Sequence, residues 1–113
     1  MDEDQARARL TAERAEVERL LRETEAEARA WQEAPSDEPA DTADPAQTLT
    51  AEDMADAVTS RFRDRIAAID RALKRLDDGT YGRSVRSGQP IPEERLGADP
   101  AAELTIEEAQ RRG

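Results

Sequence analysis

Two apolar seams with a period of seven residues dominate this chain. Leu10, Val17, Thr24 and Trp31 recur at that spacing, with Ala6, Leu20, Leu21 and Ala28 between them. Residues 3–33 contain neither Gly nor Pro. A narrow apolar stripe of this period is the mark of a helix that packs along one edge against another helix. Ala55, Phe62, Ile69 and Leu76 repeat the spacing, with Val58, Ile66 and Leu73 interleaved. The first seam predicts a helix over 3–33, about 45 Å long at 1.5 Å per residue. Its i, i+4 spacing pairs Glu18 with Arg22 and Glu25 with Arg29. The second predicts a helix over about 51–78, opened by a capping box from Thr50 to Asp53 and stopped at Gly79. Trp31 and Phe62 are expected in the seam.

Between the helices lies a segment of opposite character. Residues 34–50 carry Pro35, Pro39 and Pro45 among small and acidic residues, and no base occurs from Ala30 to Ser60. Seven carboxylates fall in 35–57: Asp37, Glu38, Asp41, Asp44, Glu52, Asp53 and Asp56. Helices with matching seams and a broken connection are expected to pair as an antiparallel hairpin with this acidic stretch at its tip. Dimerisation through the same seams is the competing arrangement. The net charge of −10 over 113 residues opposes it, and a monomer is expected.

Composition narrows the chemistry. Leu, Ile, Val and Phe total only 16 residues against 21 alanines. Such a chain builds long helices over a small core and has little room for an enclosed pocket. It has no Cys and no His, which removes disulfides, thiolate metal sites and imidazole catalysis. The excess of acid argues against direct DNA binding. No apolar run reaches membrane-spanning length and no secretory signal is visible, so a cytoplasmic protein with no membrane partner is expected. Arginine outnumbers lysine 16 to 1, a bias that suggests a bacterial, GC-rich genome. No nucleophile and base are paired, and the chain reads as a non-enzyme.

Residues 79–113 form a third region, with turns at Gly79, Gly82, Gly88, Pro90 and Pro92. Such a lobe is too small to stand alone. Tyr81, Ile91, Leu96, Leu104 and Ile106 are its expected apolar anchors, and a short helix is expected over 103–109. Arg83, Arg86 and Arg95 provide a basic face.

The run Ala72-Leu73-Lys74-Arg75-Leu76-Asp77-Asp78-Gly79-Thr80-Tyr81-Gly82, followed by Gly88-Gln89-Pro90-Ile91-Pro92-Glu93-Glu94-Arg95-Leu96, closely resembles the DksA/TraR family. In that family the same wording surrounds a four-cysteine zinc finger. Here the four ligand positions align with Ser84, Ser87, Thr105 and Glu108. Three hydroxyls and a carboxylate do not make a tetrahedral zinc site, so the resemblance implies a finger-like lobe that folds without metal and uses these polar side chains to support its turns. The fold implied is all-α: an antiparallel coiled-coil hairpin over 1–78 and a degenerate zinc-finger lobe over 79–113.

The resemblance also implies a function. DksA-type proteins regulate transcription by inserting a coiled-coil hairpin into the secondary channel of RNA polymerase, with an Asp-x-x-Asp-x-Ala pattern at the tip. Asp41-Thr42-Ala43-Asp44-Pro45-Ala46 matches that pattern, which assigns Asp41, Asp44 and Ala46 to the polymerase-facing tip. Arg61 aligns with a family arginine, and with Arg83, Arg86 and Arg95, otherwise a solvated face, it is a candidate contact for an acidic partner surface. The ppGpp-contacting set is only partly matched, since Arg61 aligns with an arginine but Arg65 replaces a leucine and Ala68 a lysine; the resemblance implies a stringent-response regulator in which polymerase binding is expected ahead of ppGpp dependence, and ppGpp responsiveness stays open. The chain ends five residues after Glu108, so the family's C-terminal helix is not expected. A helical scaffold that no longer binds polymerase is the alternative reading.

Overall fold

The computed structural model describes residues 2–33 and 45–111, apart from the side chains of residue 32 and of 45–52. Four helices follow in order: α1 (Glu3–Glu33), α2 (Pro45–Asp78), α3 (Glu93–Ala98) and α4 (Ile106–Gln110). Among the described residues the only strand-like pairing is an isolated antiparallel bridge between Arg83 and Pro90. The all-α class expected from the seams therefore holds, and no helix among these residues is long and apolar enough to cross a membrane.

α2 begins at Pro45, not near residue 51. Proline suits the first helical turn, where its fixed φ is already helical and its missing N–H would have had no partner. Thr50 therefore lies inside the helix and is not its cap. The other end follows the sequence closely. Gly79 has φ +79°, its N–H donates to the Leu76 carbonyl at 3.4 Å, and the Thr80 N–H donates to the Arg75 carbonyl at 2.9 Å. These two bonds are a Schellman motif, which needs the left-handed conformation that glycine adopts without steric cost.

The chain divides into two compact units. One comprises Met1–Ala15 with Ile66–Gly113, and the other Glu16–Arg65. In the first, the helical segments run antiparallel, as the ion pairs Arg7–Asp77 at 2.9 Å and Arg14–Asp70 at 2.6 Å show. Ala6, Leu10, Ile69 and Ala72 are fully buried between them, with Leu76 and Ala101. Three alanines among six core residues let the backbones approach closely. A second cluster joins Ile91, Leu96 and Ala102, and Tyr81 packs against both clusters. Its hydroxyl donates to the Pro100 carbonyl at 2.8 Å, and burial raises its pKa. Leu104 is also buried, but Ile106, expected as an anchor, is half exposed. It is the first residue of α4, and the helix turns its side chain outward.

In the unit Glu16–Arg65 the helices are again antiparallel, with Arg63 reaching Glu25 at 2.8 Å. Glu25, assigned from spacing to Arg29, thus holds a base on the other helix. Among the described residues of this unit, Val17 and Thr59 are the buried ones. The Thr59 hydroxyl donates to the Asp56 carbonyl at 3.0 Å and the Thr24 hydroxyl to the Leu20 carbonyl at 2.8 Å. Threonine in a seam is satisfied by its own helix. Arg19 bridges Glu16 and Glu23 along α1. Trp31 departs from its expected place in the seam: it is 83% exposed.

Candidate functional site: the Ser84–Glu108 cluster

The four positions aligned with zinc ligands are brought together in the lobe. Ser84 begins a tight turn. Its N–H donates to the Gln89 carbonyl at 2.8 Å, and its carbonyl accepts from the Gly88 N–H at 2.9 Å. Gly88 closes the turn at φ +75°. Inside it, the Ser84 Oγ accepts from the N–H groups of Arg86 (3.1 Å) and Ser87 (3.2 Å), and the Ser87 Oγ accepts from the Gln89 N–H at 3.2 Å. Ser84 is 4% exposed, so the two bonds to its Oγ are partly shielded from water, while the Ser87–Gln89 bond is exposed.

Thr105 and Glu108 approach from the other side. Thr105 is the N-cap of α4, and the two residues form a reciprocal capping box. The Ser84 and Ser87 side chains act on the Glu108 carboxylate as hydrogen-bonding neighbours. Together with the Thr105 N–H they hold its pKa down to about 2, with Ser84 the largest contributor. One carboxylate thus has hydrogen-bonding neighbours at both pairs of positions and occupies the role of a central acceptor. The cluster consists of three hydroxyls and one carboxylate. It presents neither the soft donors nor the tetrahedral set that zinc takes. Among the described residues no group of three or more His, Cys, Asp or Glu is placed to hold a metal ion.

The cluster is tied to the helices through Glu103. Its carbonyl accepts from the Val85 N–H at 2.9 Å. Its carboxylate accepts from Arg71 at 2.7 and 3.2 Å and lies 3.7 Å from the Arg75 guanidinium. Burial lowers the pKa of Arg75, and Glu103 offsets part of that effect. Neither Glu103 nor its arginines carried a motif that singled them out in the sequence; their pairing depends on a separation of about thirty residues closing in space.

The remaining predicted residues divide. Arg83 and Arg86 are exposed on the Ser84 turn, with the Arg83 Nη1 donating to the Gly88 carbonyl at 3.3 Å. Arg95 is half-buried, and its Nε donates to the Leu104 carbonyl at 2.7 Å, so it stabilises the lobe. Arg61 is exposed on α2 in the other unit. Asp41 and Asp44 lie outside the described residues, and Ala46 lies in the first turn of α2 with its side chain likewise outside them. An open groove of about 710 Å³, lined by residues including Gln89, Pro90, Ile106 and Arg111, borders the cluster.

No family model matches the chain. General stress protein 16O of Bacillus subtilis is 41% identical over 61 residues, which is 53% of this chain and 37% of that protein. The RNA polymerase-binding transcription factor DksA of Caulobacter vibrioides is 39% identical over 72 residues, 64% of this chain and 51% of that protein. The chain spans about half or less of the length of these curated relatives. The structure of transcription factor DksA2 from Pseudomonas aeruginosa is matched far more fully, with a TM-score of 0.81 and 32% identity over 97% of this chain and 81% of that one. With the fold shared nearly end to end, at an identity beyond likeness of fold alone, the chain belongs to the DksA family.

Proposed function

We propose that this protein is a transcription regulator that binds RNA polymerase through its secondary channel and modulates initiation by an acidic tip. The observation that carries the reading is the agreement with DksA2 over nearly the whole chain, joined to the Asp41-x-x-Asp44-x-Ala46 pattern in the sequence. A carboxylate tip suits an active centre built around Mg²⁺, where fixed negative charge competes for or reorients the metal and its ligands. Arg83 and Arg86 supply a basic edge for an acidic surface of the polymerase. Regulation then acts through binding, without catalysis, without zinc and without ppGpp, since only Arg61 of the nucleotide-contacting set is kept.

The test is binding of the full chain to core RNA polymerase, followed by initiation from a purified promoter with and without ppGpp. Saturable binding with altered open-complex lifetime, indifferent to ppGpp, is the expected result. Absence of binding at tens of micromolar overturns the reading and leaves a helical scaffold in its place.

A further inference from the structure

Burial fades along the helical seam of the unit Glu16–Arg65. Val17 and Thr59 are 8% exposed, whereas Trp31 is 83%, Met54 64% and Val58 40% exposed. Trp31 and Val58 both occupy seam positions by heptad count, so helix pairing has left the apolar residues of its own stripe in water. Their level along the helices follows from the Glu25–Arg63 ion pair. Six residues further along α1 and six back along α2 bring Trp31 level with Ala57. Met54 and Val58, one turn apart on the same face of α2, flank that level. Single exposed apolar side chains are ordinary. Three at one level, in a chain with one Trp and so few large apolar residues, are left uncovered among the described residues.

Their surroundings select the partner. No Lys or Arg occurs from Ala30 to Ser60, while Glu33, Asp53 and Asp56 lie within three residues of these side chains in the sequence. Two copies of this face would oppose one carboxylate set with another, which costs free energy. A basic surface with an apolar cleft fits both features.

We propose that Trp31, with Met54 and Val58, is an apolar anchor that docks in a Lys/Arg-bordered cleft of RNA polymerase. This rests on the polymerase-binding reading above and adds an attachment point distinct from the Asp41–Asp44 pattern. A large aromatic residue carries much of the energy of such an interface when it is fully desolvated.

The chain has a single Trp, so 7-azatryptophan incorporated at position 31 can be excited beyond the tryptophan absorption of the polymerase. Its emission should move to the blue and resist acrylamide quenching when core polymerase is added. Trp31→Ala should weaken binding about tenfold or more while leaving the melting temperature unchanged, and Trp31→Phe should recover part of the affinity. If Trp31→Ala binds as the wild type does, or the emission of the bound probe stays that of water-exposed indole, the anchor is refuted while polymerase binding stands. Emission that shifts with the protein's own concentration overturns it in favour of a second copy. Wild-type protein that does not bind at all overturns both.

Discussion

Thr105 and Glu108 cap one another. The Glu108 Oε1 accepts from the Thr105 N–H at 3.0 Å, and the Thr105 Oγ1 accepts from the Glu108 N–H at 3.2 Å. α4 is only five residues long, and a helix of that length has no stability of its own in water. The box supplies its first turn with partners and, by fixing Glu108, aims a carboxylate at the Ser84 turn. This side chain then joins the two halves of the lobe alongside the Val85 N–H bond to the Glu103 carbonyl.

This arrangement has an acid signature. Hydrogen bonds with Ser84, the Thr105 backbone and Ser87 lower the Glu108 pKa to about 2 in the folded protein, below its ordinary unfolded value. A depressed folded pKa contributes stability that is complete above the unfolded value and is lost as pH falls through the folded one. The lobe should therefore hold at pH 5 and loosen between about pH 4.5 and about pH 2. Asp70, whose pKa Arg14 lowers, loses its contribution in the same direction, so the readout must be local. Hydrogen exchange at the Arg86 and Ser87 amides, which donate to Ser84, provides it. Glu108→Gln keeps the shape of the box and should flatten the acid response of these amides. An unaltered acid response in that variant would place the titrating group elsewhere.

The same network predicts indifference to metal. Chelator should leave the melting temperature unchanged, and elemental analysis should find no stoichiometric zinc. Ser84→Ala should cost about 1 kcal/mol, because it leaves two part-buried N–H groups without their partner and removes a hydrogen-bonding neighbour of Glu108. Calorimetry with and without chelator, on both proteins, measures each effect. Tightly bound zinc would show that the cluster is a metal site after all.

Leu104 and Ile106 offer a contrast within one strand of sequence. Leu104 is 8% exposed and Ile106 50%. Leu104→Ala should cost about 2–4 kcal/mol through lost burial and a cavity, whereas Ile106→Ala should stay within about 0.5 kcal/mol. Urea unfolding with the slope held common separates the two. Equal losses would mean that Ile106 is covered in solution.

The difference between these two residues marks where sequence reading succeeds. Heptad spacing found Leu10, Ile69 and Leu76 because a helix repeats its direction every seven residues, and Gly79 was legible because a Schellman stop needs positive φ. The same spacing misplaced Trp31, since period fixes the face a residue occupies but not whether the opposite helix covers it. The start of α2 was misread because proline signals a break and a helix start with the same letter. In the lobe, alignment named Ser84, Ser87, Thr105 and Glu108. That Glu108 is the hub depends on two segments about twenty residues apart meeting, which no local pattern encodes. The family resemblance supplied what periodicity lacked there.

The acidic pattern provides the last prediction. Asp41→Asn with Asp44→Asn removes two charges with little change in volume. Residues 30–60 contain no base, so these carboxylates have like charges as their nearest neighbours in sequence. Their neutralisation should leave the melting temperature within the scatter of ordinary surface changes, about 0.5 kcal/mol. If the hairpin docks as proposed, in a crowded, metal-containing channel, the same charges would act through a lower effective dielectric and over short distances. On that proposal, with helices and lobe supplying most of the contact area, the double variant should retain most of its affinity for polymerase yet lose most of its effect on open-complex lifetime. Measuring affinity and lifetime on the same preparation distinguishes the outcomes. Regulation equal to wild type would reduce residues 41–46 to a connection between two helices, while a parallel loss of binding and regulation would make them an attachment site and not an effector.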